Sequence, residues 1–92
     1  MKRIFKNKNT TYSTLRDSSI ILNEDTSEYL MLNDIAKDIF ESLKDGDSRQ
    51  VLKSKIRDIF DDPDKRLDIE LDKFLDDAIE KKIIFEQLDE PK

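Results

Sequence analysis

Residues 18–33, SSIILNEDTSEYLMLN, decide how this chain folds. Two apolar runs, Ile20 to Leu22 and Tyr29 to Leu32, flank Glu24-Asp25-Thr26-Ser27, a short polar stretch rich in turn formers. The pattern predicts two strands, Ile20 to Asn23 and Glu28 to Leu32, paired as a hairpin. Tyr29-Leu30-Met31-Leu32 is apolar at every position, so as a strand it is greasy on both faces. Something beyond its own hairpin must cover it.

Upstream, Thr10 to Arg16 mixes Thr, Tyr and Ser in the manner of an edge strand, and residues 1–9 read as a flexible basic arm. Downstream the period changes. Asn33 as a cap, Asp34 at the positive helix end, and Ile35, Ile39, Phe40 and Leu43 at helical spacing predict a first helix to about Lys44. Gly46, the only glycine, is placed to close it in the left-handed conformation. Asp47 is positioned to cap a second helix, with Gln50 completing a capping box. Leu52, Ile56, Ile59 and Phe60 form its apolar stripe, and Asp61-Asp62-Pro63-Asp64 ends it. Asp68 can cap a third helix, whose apolar face is Leu71, Phe74, Leu75, Ala78 and Ile79, ending near Lys82. Ile83-Ile84-Phe85 reads as a short buried strand or a helix tail, and residues 89–92 as a frayed tail.

Strands followed by three helices, with no βαβ unit and no internal repeat, make an α+β fold. It is winged-helix-like: an N-terminal antiparallel β-hairpin or three-stranded sheet followed by three helices. Residues 10–88 form one domain, which suits a chain of 92 residues.

Composition narrows the chemistry. The chain has no Cys and no His, which removes thiol nucleophiles, imidazole acid/base work, the usual zinc ligands and any disulfide. One glycine cannot build a phosphate-cradling loop. Asp61, Asp62 and Asp64 lack the spacing of a calcium loop. Asp72, Asp76, Asp77 and Glu80 lie off the apolar stripe and read as a wet face rather than as paired catalytic carboxylates. No apolar run approaches the length of a membrane span or a signal peptide, so the expected location is cytoplasmic, with no membrane partner and no cofactor.

The net charge of −5 hides an asymmetry: Lys2, Arg3, Lys6, Lys8 and Arg16 fall in residues 1–16, which contain no acid. Such an arm is usually a solvated end. In a winged helix the third helix would enter the DNA major groove, but here it is acidic, with Asp68, Glu70, Asp72, Asp76, Asp77 and Glu80 against Lys73, Lys81 and Lys82. Arg49, Lys53, Lys55 and Arg57 make the second helix more basic, in a pattern that reads as solubilising. Nucleic acid is therefore disfavoured as a partner. On periodicity alone, the greasy strand has three candidate covers: the arm, a second copy of the chain in a homodimer, or a foreign peptide adding as a strand to an open sheet edge.

An ordered set of short matches then resembles the PqqD-like family, the RiPP precursor peptide recognition elements. Glu28 to Asn33 (EYLMLN) ends a hairpin in Leu-Asn, and an A-x-x-I follows as Ala36 to Ile39. Asp45-Gly46 ends the first helix, and Leu52, Ile56 and Phe60 supply the next stripe. Glu70-Leu71, Phe74-Leu75, Ala78 and Lys82-Ile83-Ile84 match the last block. Lys82 stands where the family prefers Gly, Ala78 replaces a larger residue, and the hairpin turn lacks a frequent glycine.

The resemblance implies a non-catalytic leader-peptide-binding module. It would capture a ribosomal precursor peptide by β-strand addition and present it to a separate modifying enzyme, such as a radical SAM enzyme, leader peptidase or cyclase. The leader strand would add to Glu28, Tyr29, Leu30, Met31 and Leu32, with side chains entering a crevice against Leu71, Phe74, Leu75 and Ala78. Lys73 and Lys81 border that stripe and could attract acidic leader residues. The alternative is a small winged-helix regulator acting through protein-protein or nucleic-acid contacts.

Overall fold

The computed structural model describes residues 2–16, 18–60 and 66–88. The elements run β1 (Lys2–Lys6), β2 (Thr10–Leu15), β3 (Ser18–Asn23), β4 (Tyr29–Leu32), α1 (Asp34–Ser42), α2 (Arg49–Ile59), α3 (Arg66–Glu80) and β5 (Ile84–Leu88). The strands β2-β3-β4 form an antiparallel three-stranded sheet in sequence order, as expected, and a second sheet pairs β1 with β5.

The hairpin of residues 18–33 forms in the register Ser19↔Leu32, Ile20↔Met31, Ile21↔Leu30 and Leu22↔Tyr29. Ile21 and Leu32 face the helices and are buried. Its turn has Ser27 at φ 63°, a left-handed residue where glycine would fit without strain. Asn23 organises this turn: its side-chain oxygen accepts from the Asp25 N–H (2.9 Å) and Thr26 N–H (3.3 Å).

Residues 2–6 are a strand and not part of a flexible arm. In β1, Phe5 lies opposite Phe85 and Lys6 opposite Ile84, and Ile4 is 0% exposed in the core. On its other edge, Ile4 donates to the Asp47 carbonyl and accepts from the Gly46 N–H, both at 2.8 Å. Five residues with one buried position carry too weak a local pattern to announce a strand; the partner that makes it one lies at the other end of the chain. The arm therefore does not cover Tyr29 and Met31. The frayed tail expected at 89–92 and the helix-ending segment 61–65 lie outside the described residues.

Capping is partly as expected. Asn33 caps α1, accepting from the Ala36 N–H at 2.8 Å. For α2 the cap is Ser48, accepting from the Val51 N–H at 3.2 Å, and not Asp47. Asp47 accepts instead from the Lys44 N–H (3.0 Å) and the Lys55 ammonium (2.6 Å). Gly46 takes φ 96° but sits in the loop beyond the C-cap Leu43. Asp68 lies in the first turn of α3, which starts at Arg66.

The end of α3 is closed by Lys82. Its N–H donates to the Ile79 carbonyl (3.0 Å) and the Ile83 N–H to the Ala78 carbonyl (2.8 Å), with Lys82 itself at φ 58°. This is the Schellman arrangement, with a lysine where glycine is usual.

One core joins sheets and helices through Ile4, Ile21, Ile39, Leu52, Leu75 and Ile84. Ile59, assigned to the α2 stripe, is exposed, and so is Phe85 on β5. The basic residues of α2 do more than solubilise. Arg49 donates to Glu86 (2.8 Å), Asp76 (2.9 Å) and Asp72 (3.0 Å), tying α2 to α3 and β5. Lys53 pairs with Asp72 at 3.2 Å and Arg57 with Asp68 at 2.8 Å. The Glu86 hydrogen bond, followed by those to the two aspartates, holds the Arg49 pKa above its usual value against the effect of burial. Among the described residues, no helix is long and apolar enough to cross a membrane.

Candidate functional site

Strand β4 is an edge, and its backbone is aimed outward. The Asn23 N–H donates to the Glu28 carbonyl at 2.8 Å. Bonded pairs alternate along an antiparallel ladder, so Ile21↔Leu30 and Ser19↔Leu32 are the bonded ones. The N–H and C=O of Tyr29 and Met31 consequently point away from β3, where the sheet has no further strand among the described residues. Their side chains lie on the outer face of the sheet opposite Leu22 and Ile20, 58% and 62% exposed. The uniform greasiness of this strand is thereby resolved: Leu30 and Leu32 face the helices, while Tyr29 and Met31 face solvent.

Beside the open edge lies a cleft of about 260 Å³. Leu30 of β4, Ile35 and Ala36 of α1, and Phe74 of α3 supply its apolar surface. Met31 and Asn33 border it on the strand side, and Glu70, Lys73 and Asp77 on the α3 side. Positions 70, 73, 74 and 77 share one helical face, so charges flank Phe74, a core residue whose remaining 6% exposure borders the cleft. The space at the end of β2, on the other side of this sheet, has a more polar lining: Thr14, Arg16, Ser19, Leu32, Asp34 and Lys37.

The structure brings together part of the expected site. Leu30, Met31, Phe74 and Lys73 line the cleft. Leu71, Leu75 and Ala78 are buried in the core, Ala78 at 0% exposure, and none of them lines it. A helical stripe wide enough to face both core and cleft looks uniform in sequence, so periodicity could not divide it. Lys81 lies 3.7 Å from Glu28 in an ion pair outside the cleft lining. Asp77, read as part of a wet face, lines the cleft, whereas Asp72 and Asp76 are held by Arg49. Glu70 and Asp77 carry no local signal that marks them as cleft residues, and in the sequence Asn33 reads only as a helix cap, Ile35 as part of the α1 stripe and Ala36 as part of the A-x-x-I match. A small residue at 36, facing a strand across α1, was the available signal.

Asn23 fixes the width of this region. Its amide donates to the carbonyls of Lys81 (2.8 Å) and Lys82 (3.3 Å), so the hairpin is tied to the end of α3. Tyr12 stacks on Phe40, which meets Phe74 edge-on at 6.5 Å, bracing the inner side of the cleft.

Two solved structures share this fold. TbiB1, solved in complex with the TbiA(beta) leader peptide, superposes with a TM-score of 0.73 at 17% identity, covering 91% of this chain and 98% of that one. A lasso peptide synthetase B1 complexed with the leader peptide gives a TM-score of 0.71 at 16% identity, covering 89% and 96%. No curated protein matches the sequence. The family described as coenzyme PQQ synthesis protein D (PqqD) matches over residues 18–84, which spans the hairpin, all three helices and the start of β5, and the chain belongs to the PqqD family.

Proposed function

We propose that this protein is a leader-peptide-binding recognition module, which captures a ribosomal precursor peptide and presents it to a separate modifying enzyme. The observation that carries the reading is the outward-facing backbone of Tyr29 and Met31 directly beside an apolar cleft. An incoming strand satisfies the edge amides and carbonyls, which sets its orientation. Side chains entering the cleft supply most of the affinity, at about 1.5–3 kcal/mol for each large apolar group fully buried. Membership of the PqqD family and the leader peptides bound to both structural relatives support this occupant. The composition supports a binding role over a catalytic one, because no imidazole or thiol is present to activate a nucleophile or move a proton.

The test is a titration of the labelled protein with a synthetic leader segment from a precursor gene adjacent to its own. Amide shifts should concentrate at residues 28–33 and on the Phe74 face of α3. Binding that shifts only α2 or β1 would overturn the strand-addition reading.

A further inference from the structure

The charges around the cleft specify more than an apolar occupant. Glu70, Lys73 and Asp77 line it together, and none of the three has an ion-pair partner among the described residues. This sets them apart from Asp68, Asp72 and Asp76 on the same helix, whose carboxylates are taken up by Arg57, Arg49 and Lys53. Lys81, the other cation expected to meet a ligand, is engaged by Glu28. The cleft thus carries one cation between two unpaired anions, with Phe74 in the same stretch of α3.

Spacing turns this into a pattern. Glu70 and Asp77 are seven residues apart, roughly two turns and about 10.5 Å along α3. In an extended segment, residues i, i+2 and i+4 face the same side, with i and i+4 separated by about 13 Å. Flexible basic side chains at i and i+4 span the difference, with their stems lying on the apolar walls and their charged ends reaching the carboxylates. The residue at i+2 then falls between Glu70 and Asp77, over Leu30, Ile35, Ala36 and Phe74. Lys73 at the centre repels a cation there, as does the apolar surface.

We infer that the peptide segment recognised by this cleft carries a large apolar residue flanked two positions away on each side by lysine or arginine, paired with Glu70 and Asp77. The inference rests on the strand-addition reading and names the chemistry of its ligand. It runs opposite to the acidic leader that Lys73 and Lys81 alone would suggest.

The probe is a displayed library of randomised twelve-residue peptides selected on the full chain, followed by amide mapping of the enriched peptides. Peptides mapping to Leu30 and Met31 should be enriched in the basic-x-apolar-x-basic pattern. Each basic flank replaced by glutamine should weaken binding about two- to fivefold, as expected of partly exposed ion pairs, with the effect shrinking at high salt. Selection on the Glu70→Lys/Asp77→Lys double variant should turn the flanks acidic. Glu70→Gln and Asp77→Asn serve as milder variants, and should abolish the basic preference if the double variant melts early. Peptides that map to β4 with no flanking charge preference would overturn this inference and leave the strand-addition reading standing. If enriched peptides map elsewhere, or none are enriched, both are overturned.

Discussion

The side-chain amide of Asn23 donates to the main-chain carbonyl of Lys81 at 2.8 Å, joining the tip of the β3–β4 hairpin to the end of α3 across 58 positions of sequence. Asn23 is 0% exposed and all of its polar atoms are partnered within the protein. Replacing it with alanine removes part-buried hydrogen bonds to both elements, to the Asp25 and Thr26 N–H groups and to the Lys81 carbonyl, a combined loss of about 1–3 kcal/mol. Asn23→Ala should therefore lower Tm by roughly 10 °C in a thermal melt. It should also weaken peptide binding, because the hairpin and α3 are the two walls of the cleft. A variant with unchanged Tm would show that water replaces the amide.

Lys82 occupies the left-handed position of the α3 cap at φ 58°, which costs a residue with a Cβ about 1–2 kcal/mol relative to glycine. Glycine loses more chain entropy on folding, which offsets part of the gain. Lys82→Gly should raise stability by about 0.5–1 kcal/mol in chemical denaturation. The carbonyl of Lys82 still accepts from the Asn7 amide at 2.9 Å, so this hydrogen bond is kept. Destabilisation would mean that the lysine side chain contributes more than its backbone strain removes.

Deleting residues 1–9, or truncating Ile4→Ala, should be strongly destabilising. The deletion removes the ladder partner of β5 and both take a fully buried side chain from the core. Loss of a buried isoleucine to alanine costs about 2–5 kcal/mol. Melts of the two variants decide; wild-type stability in the deletion would place β1 outside the cooperative unit.

Ala36 and Ala78 make opposite predictions for one kind of substitution. Ala36 is half-buried and lines the cleft, whereas Ala78 is sealed in the core. Ala36→Trp should fill the cleft and weaken peptide binding at least about tenfold by calorimetry, a loss of ~1.4 kcal/mol, with little change in Tm. Ala78→Trp should overpack the core and unfold the protein. Normal binding by a folded Ala36→Trp variant would move the peptide site away from this cleft.

Acid should unfold the protein through identifiable carboxylates. Burial alone would raise Asp72, but hydrogen bonds from Arg49 and Lys53 hold its pKa below the usual value. Asp47 is also lowered: burial acts upward, and is outweighed by the hydrogen bonds from Lys55 and the Lys44 N–H. A depressed folded-state pKa contributes stability above the unfolded value of about 3.9 and loses it as pH falls through the lower folded value. The denaturant midpoint should be level above about pH 5 and fall below about pH 4. Asp72→Asn should shallow that fall; identical profiles would assign it to other groups.

Much of this protein is determined by local sequence. The polar turn between two apolar runs makes the β3–β4 hairpin, because strand period and turn chemistry act within sixteen residues. Asn33 caps α1 because its side chain reaches an N–H only three residues away. The stripes Leu52-Ile56 and Leu71-Phe74-Leu75 place α2 and α3 through the 3.6-residue period alone. The order of elements from β2 to α3 and the family resemblance both follow from these short-range signals.

Tertiary structure decided what each signal was for. β1 exists because β5 pairs with it, a contact between the two ends of the chain that no local window contains. Phe74 lines the cleft while Leu71, Leu75 and Ala78 are sealed in the core, because the width of one helical stripe is shared between two neighbours whose positions the helix itself does not encode. Asp72 and Asp76 are held by α2 while Asp77 lines the cleft for a similar reason: the cations of α2 approach one flank of α3 and leave the other to the open edge of β4.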